Sequence, residues 1–146
     1  MDKLSALEAV SQYAAALSAR DSDRMNALRA PDFVLDFVNG DAFEDRPLSV
    51  EQTREFWPSW FRGFPEMDLE VTRTIAAEEV VVTQWIFTGT NSGPVEPPVF
   101  DDRTEPTGRT IRLRGVSIYD VSDGLLRRET MYIDLATLMV ELGVEP

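Results

Sequence analysis

Apolar side chains recur at helical spacing at the start of the chain: Leu4, Leu7, Val10, Ala14 and Leu17, with Asp2, Ser5, Glu8 and Ser11 on other faces. That rhythm predicts a helix over about 3–19. Asp21 offers an N-cap for a short second helix that ends near Arg29, ahead of Pro31. The pattern then turns extended. Phe33-Val34-Leu35-Asp36-Phe37-Val38 predicts a strand, closed by the turn pair Asn39-Gly40 and followed by a polar loop through Pro47. Ser49 with Gln52 three residues on makes a capping box that opens a third helix. Its expected inner face is Val50, Thr53, Trp57, Phe61 and Phe64; Pro58 is expected to kink it, and Gly63 with Pro65 to end it.

The second half reads as strand until its last turn. Segments near 67–76, 79–90, 109–121 and 125–133 are rich in Val, Ile, Thr, Tyr and Trp. Glu78-Glu79 marks one turn and Ser122-Asp123-Gly124 another, both suited to antiparallel hairpins. Ile111 and Leu113 have odd parity while Val116 and Ile118 have even parity, which predicts a bulge at Arg114-Gly115. Asn91 to Gly108 holds four prolines and reads as a long loop over a cavity mouth or a dimer face. A final helix is expected from Leu135 to Leu142, capped by Gly143. Helices followed by a long curved antiparallel sheet define an α+β domain, and such a sheet tends to leave a conical interior suited to a small molecule.

The 146 residues suit one domain over the whole chain, 1–146. The 26 acidic and 14 basic side chains give a net charge of −12, which would repel nucleic acid and anionic membranes. The chain has no cysteine and no histidine. That excludes a thiol nucleophile, a disulfide framework, an imidazole base and a Ser-His dyad. Lys3 is the sole lysine, so a Schiff base on an internal lysine is excluded. Acid–base chemistry therefore falls to Asp, Glu, Tyr or bound water. No nucleotide-binding fingerprint occurs, no cofactor or metal is expected, and the start lacks a signal peptide's apolar stretch, so the default location is the cytoplasm.

Several short motifs, taken in order, carry a resemblance. Trp85-x-x-x-Gly89-Thr90-Asn91-x-Gly93, then Pro106-Thr107-Gly108-Arg109, then Asp123-Gly124, then Asp134 with Gly143 nine residues on, resemble the SnoaL-like polyketide cyclase branch of the NTF2-like superfamily. The likeness implies a cone-shaped α+β barrel, often homodimeric, with an apolar pocket. It also implies that Asp134, at the end of the last strand, is the acid–base catalyst of an intramolecular aldol closure. Two positions depart from the family pattern: Asn91 stands where a histidine is common, and Glu141 where a glutamine is usual. A second branch of that superfamily, resembling limonene-epoxide hydrolase, uses an Arg-x-Asp pair on the middle strand besides the terminal aspartate. The corresponding stretch here, Gln84-Trp85-Ile86-Phe87, has neither charge, so epoxide opening by that triad is not expected.

Counting by twos from Asp134 puts Tyr132, Thr130 and Arg128 on one strand face. If that face lines the cone, burial raises the Asp134 pKa and suits it to enolising a β-keto compound. Tyr132, Asn91 or Arg114 would then hold the developing enolate. The competing reading of Asp134 is the N-cap of the last helix. Trp57, Trp60, Phe61 and Trp85, with Phe33, Phe37 and Tyr13, could stack a flat substrate or simply form core. Whether Arg112 or Arg114 points inward is left open by the expected bulge. Asp36 is expected in solvent, and Asp101-Asp102 with Glu105 in a solvated loop. The reading is a small-molecule enzyme, with a non-catalytic binding or dimerisation module, or an Asp-assisted hydrolase or hydratase, as alternatives.

Overall fold

The computed structural model describes residues 3–38 and 47–143. The expected turn at Asn39-Gly40 and most of the loop after it lie outside the described residues. Among the described residues the chain forms α1 (Ala6–Ser18), α2 (Ser22–Leu28), β1 (Arg29–Val38), α3 (Val50–Gly63), β2 (Glu66–Ala76), β3 (Val80–Thr90), β4 (Thr110–Ser122), β5 (Leu125–Ile133) and α4 (Leu135–Leu142).

Each helix starts where its sequence supplies a donor-satisfying side chain. Ser5 Oγ accepts the Glu8 N–H and the Glu8 carboxylate accepts the Ser5 N–H, a capping box that opens α1. Ser49 and Gln52 repeat the device at α3, at 3.0 and 3.1 Å. Asp21 caps α2 through the Arg24 N–H. Gly143 closes α4 at φ 72°, a left-handed conformation that costs glycine little. Helix α3 runs through Pro58 as one helix. Its buried side is Thr53, Phe56, Trp57, Ser59 and Trp60, with Val50 and Phe61 only half-buried. The expected stripe held Thr53, Trp57 and, at the helix end, Phe64, but missed Phe56 and Trp60.

The sheet order is β1-β5-β4-β3-β2. Strands β2 to β5 pair antiparallel, but β1 pairs parallel with β5, so the sheet is mixed rather than wholly antiparallel. The stretch containing α3 carries the chain from β1 to the opposite edge at β2, which leaves β1 free to run beside β5. Strand β1 also begins earlier than expected and includes Pro31. An edge strand tolerates a missing N–H, and its register with β5 breaks between Arg29 and Val34, around that proline.

The bulge expected at Arg114-Gly115 is absent. The register of β4 with β3 runs unbroken from Thr110 to Asp120, and the breaks fall at Val71/Arg73 and Asp120/Val121. Ile111, Leu113, Gly115, Ser117 and Tyr119 all face the core, while Val116 and Ile118 are half-buried on the other face. The parity change reflects two partly apolar faces and no change in strand geometry. Gly115 has a different cause. A Cβ there would lie 2.3 Å from Cζ2 of the Trp85 ring, which crosses the strand at that point.

The inner face of the sheet, with α1 and α3 laid over it, forms the core. Tyr13, Leu17, Phe56, Phe64, Phe87 and Leu126 are among its fully buried side chains. The 91–108 segment is fastened onto the end of α3. Asn91 Nδ2 donates to the Gly63 and Gly93 carbonyls, while its Oδ1 accepts the Thr107 N–H and hydroxyl. Val95 pairs with Thr104, and Val95 and Val99 are buried in the core.

Candidate functional site

On β5 the inward residues are Glu129, Met131 and Ile133, placed beside Leu35 and Phe37 of β1 and opposite Gly115, Ser117 and Tyr119 of β4. A glutamate therefore stands in the middle of the apolar face. Glu129 is 1% exposed. Its Oε2 accepts the Ser117 hydroxyl at 2.9 Å, and Ser117 Oγ accepts the Trp85 indole N–H at 3.0 Å. The other oxygen, Oε1, accepts no hydrogen bond, although the Tyr119 hydroxyl lies near the carboxylate. Burial disfavours the carboxylate and pushes the pKa up to about 7; the Ser117 hydrogen bond and the Arg29 charge pull the other way without cancelling it.

Helix α1 lays Tyr13 over this carboxylate, with its ring edge-on to Tyr119 at 5.9 Å. Arg29, at the start of β1, donates from Nε and Nη2 to the Tyr13 hydroxyl at 3.1 and 2.6 Å. Desolvation raises both tyrosine pKa values, so both hydroxyls stay protonated donors near neutrality. The Trp57 indole N–H lies near the Tyr13 hydroxyl without a hydrogen bond, and the Trp60 N–H has no partner either. Among the described residues, the buried side-chain polar atoms left without a hydrogen bond are these two indole donors and Glu129 Oε1. Each such orphan costs about 1–3 kcal/mol.

Phe37, Phe56, Trp57, Trp60, Trp85 and Phe87 close around the centre of the cone. Ring centroids of 5.0 Å for Phe37–Phe56, 5.2 Å for Phe56–Trp57 and 5.1 Å for Trp60–Phe87 leave a cavity of about 10 Å³, the space of one water. The expected aromatic set is therefore real as a cluster, but its rings fill the gap between them. Phe61 stacks half-buried on the far side of Trp57 at 6.0 Å. Tyr13 and Phe33 belong to the Arg29 end, at 6.4 Å from each other.

The other expected site residues lie elsewhere. The face carrying Arg128, Thr130 and Tyr132 is the outer one: Tyr132 is 48% exposed, and Arg128 pairs with Asp36 at 2.8 Å. Asp36 is thus on the expected face but buried and ion-paired, not in solvent. Both Arg112 and Arg114 are exposed on that same outer face. Asn91 spends its whole hydrogen-bonding capacity on the loop, which leaves it no donor for a substrate. Asp134 caps α4, accepting the Thr137 N–H at 3.1 Å and its hydroxyl at 2.6 Å. These bonds lower its pKa, the opposite of the rise expected from a buried position. Asp134 does border a surface cavity of about 330 Å³ with Ile86, Arg112, Arg114 and Thr137.

Counting β5 from Asp134 puts Glu129 on the outer face, which is why the sequence reading misses it; Ser117 on β4 and Arg29 at the start of β1 reach it only through strand pairing and packing. Met131 and Ile133 are apolar where Arg128 and Thr130 are polar, a signal that phases the inward face onto Glu129. No group of three or more acidic side chains able to hold a metal ion occurs among the described residues.

The fold that carries this site, a curved sheet closed by helices, is shared with known proteins. The SnoaL-like polyketide cyclase family matches residues 7–142. The chain belongs to that family, on an NTF2-like, ketosteroid isomerase-like fold. Among solved structures it is similar to AclR of Streptomyces galilaeus, a suggested hydroxylase, with 25% identity, TM-score 0.77, and 94% and 84% of the two chains covered. It is also similar to IdmH of Streptomyces antibioticus, a suggested polyketide cyclase, with 25% identity, TM-score 0.74, and 94% and 98% covered. A SnoaL-like protein of Jannaschia sp. CCS1 shares the fold at 22% identity and TM-score 0.79, with 96% and 92% covered. No curated protein matches the chain.

Proposed function

We propose that this protein is a cytoplasmic acid–base enzyme of the cyclase type, a lyase or isomerase acting on an apolar carbonyl compound, with Glu129 as the proton-transfer group. Glu129 takes the acidic C–H proton of a β-keto compound, the resulting enolate attacks an internal carbonyl to form the new C–C bond, and the proton returns to the oxygen of that carbonyl. The Tyr13 hydroxyl and the Trp57 and Trp60 indole N–H groups stabilise the enolate oxygen. Phe37, Trp57 and Trp85 shape the folded substrate, which enters as the rings around the 10 Å³ cavity part. The step needs no cofactor. The observation that carries this reading is the buried Glu129 with an unpartnered oxygen and a pKa near 7.

The test is α-proton exchange in heavy water on a panel of β-keto esters and aryl ketones, followed by proton NMR. Glu129→Gln is expected to abolish exchange and Asp134→Asn to retain it. The reverse pattern supports a second reading, proton transfer at Asp134 as the family likeness implies, favoured by the 330 Å³ cavity beside it. Ligand binding without exchange in any protein supports a binding module, and solvent oxygen-18 in a product supports a hydrolase or hydratase. We also propose a homodimer through the outer sheet face, where Ile86, Val116 and Ile118 are half-buried beside Tyr132. Light scattering with Tyr132→Lys tests it: a persistent dimer in that variant sinks this interface.

A further inference from the structure

Another cavity, of about 360 Å³, opens on the surface at the Tyr13 end of the core. Its lining includes Asn26, Arg29, Pro31, Phe33, Thr53 and Arg54. The polar side chains that reach it are donors to spare. Arg29 commits Nε–H and one Nη2–H to Tyr13 and one Nη1–H to Asn26 Oδ1, which leaves two of its five N–H groups free. Because Asn26 accepts through Oδ1, its amide nitrogen keeps both of its protons to donate. Thr53 Oγ1 accepts the Leu35 N–H and so has its own proton to give. Arg54 is exposed one turn into α3.

Among the described residues no carboxylate lines this cavity, although the chain carries 26 of them. Among the described residues neither Arg29 nor Arg54 has an ion-pair partner within 4.0 Å. The Arg29 guanidinium carbon lies 4.8 Å from the centre of the Phe33 ring, a cation–π contact that holds the group without neutralising it. One wall is therefore a pair of guanidinium groups and the other is apolar, from Phe33, Pro31 and Ala30.

We propose that this cavity is a binding site for a small carboxylate with a flat apolar tail. The carboxylate bridges the free Arg29 N–H groups and Arg54, and the tail lies against Phe33 and Pro31. The site opens outside the Glu129 interior and shares Arg29 with it, but it stands whether or not Glu129 is the catalyst. Charge-assisted, forked pairing of this kind selects a carboxylate over a neutral amide of the same shape.

The experiment uses benzoate as the probe, at low ionic strength, with calorimetry for affinity and the arginine Nε–Hε resonances for location. Benzoate is expected to bind saturably and to shift the Arg29 and Arg54 signals, while benzamide does not bind and inorganic phosphate binds more weakly. Arg54→Gln, an exposed change whose thermal midpoint should match the parent, is expected to weaken benzoate roughly tenfold. Equal binding of benzamide, an unchanged affinity in Arg54→Gln, or no shift at Arg29 would each overturn the site. Phosphate binding as tightly as benzoate would overturn its assignment to an apolar-tailed carboxylate.

Discussion

Glu129, midway along β5, and Asp134, just past its end, sit five residues apart, and their surroundings drive them in opposite directions. On the inner face, Glu129 loses its water, gains one hydrogen bond from Ser117, and has its pKa raised to about 7. At the strand's exposed end, Asp134 keeps its water, gains two hydrogen bonds from Thr137, and has its pKa lowered. The difference teaches that position near the end of the last strand does not make an acid–base catalyst. Side-chain parity and desolvation do, because only a group whose pKa lies near the working pH both takes and returns a proton efficiently.

The strongest way to break this comparison is to exchange the two carboxylates for amides. Glu129→Gln is expected to lower turnover on a true substrate by about 10²–10⁴-fold, the usual contribution of a general acid–base group, read from initial rates. The same variant changes the pH dependence of stability. Glu129's folded-state pKa lies above its unfolded value, so its contribution is fully present below the unfolded pKa and is lost as pH rises through about 7. That loss is on the order of 3 kcal/mol. Denaturant unfolding at several pH values should therefore show the parent weakening between about pH 5 and 8 and the Gln variant nearly flat across that window. Gly115→Ala sharpens the inner-face half of the contrast. Its Cβ would displace the Trp85 ring and with it the bond to Ser117, at a cost of about 1–3 kcal/mol measured by the same method. The smallest effect belongs to Asp134→Asn, which keeps a capping oxygen for Thr137 and is expected to leave turnover within about twofold of the parent.

The local chemistry of the chain was legible wherever one or two neighbouring residues decide the structure. Both capping boxes, the Asp21 cap, the Gly143 terminus, the Ser122-Asp123-Gly124 turn and the extents of β2 to β5 follow from short-range rules, and the structure contains them. The parallel pairing of β1 with β5 was not legible, because it depends on where a long crossover delivers the chain. The site was misphased for a related reason. Polar residues on the outer face and apolar residues on the inner face of β5 differ by one residue of register, and a count started at Asp134 reads the strand inside out. The aromatic cluster was legible as composition, but sequence gives no distance between rings, so the closed centre of the cone came only from coordinates. Asn91 shows the same limit: its fixed bonds to Gly63 and Thr107 join segments 28 and 16 residues away.

The most direct test of the account is a carbon-13 NMR titration of the side-chain carboxyls, with Glu129 assigned by its Gln variant and Asp134 by its Asn variant. The account requires a Glu129 midpoint near 7 and an Asp134 midpoint below the ordinary aspartate range. A Glu129 that titrates with the exposed glutamates, or an Asp134 that titrates near neutrality, would contradict it and return the proton-transfer role to the end of the strand.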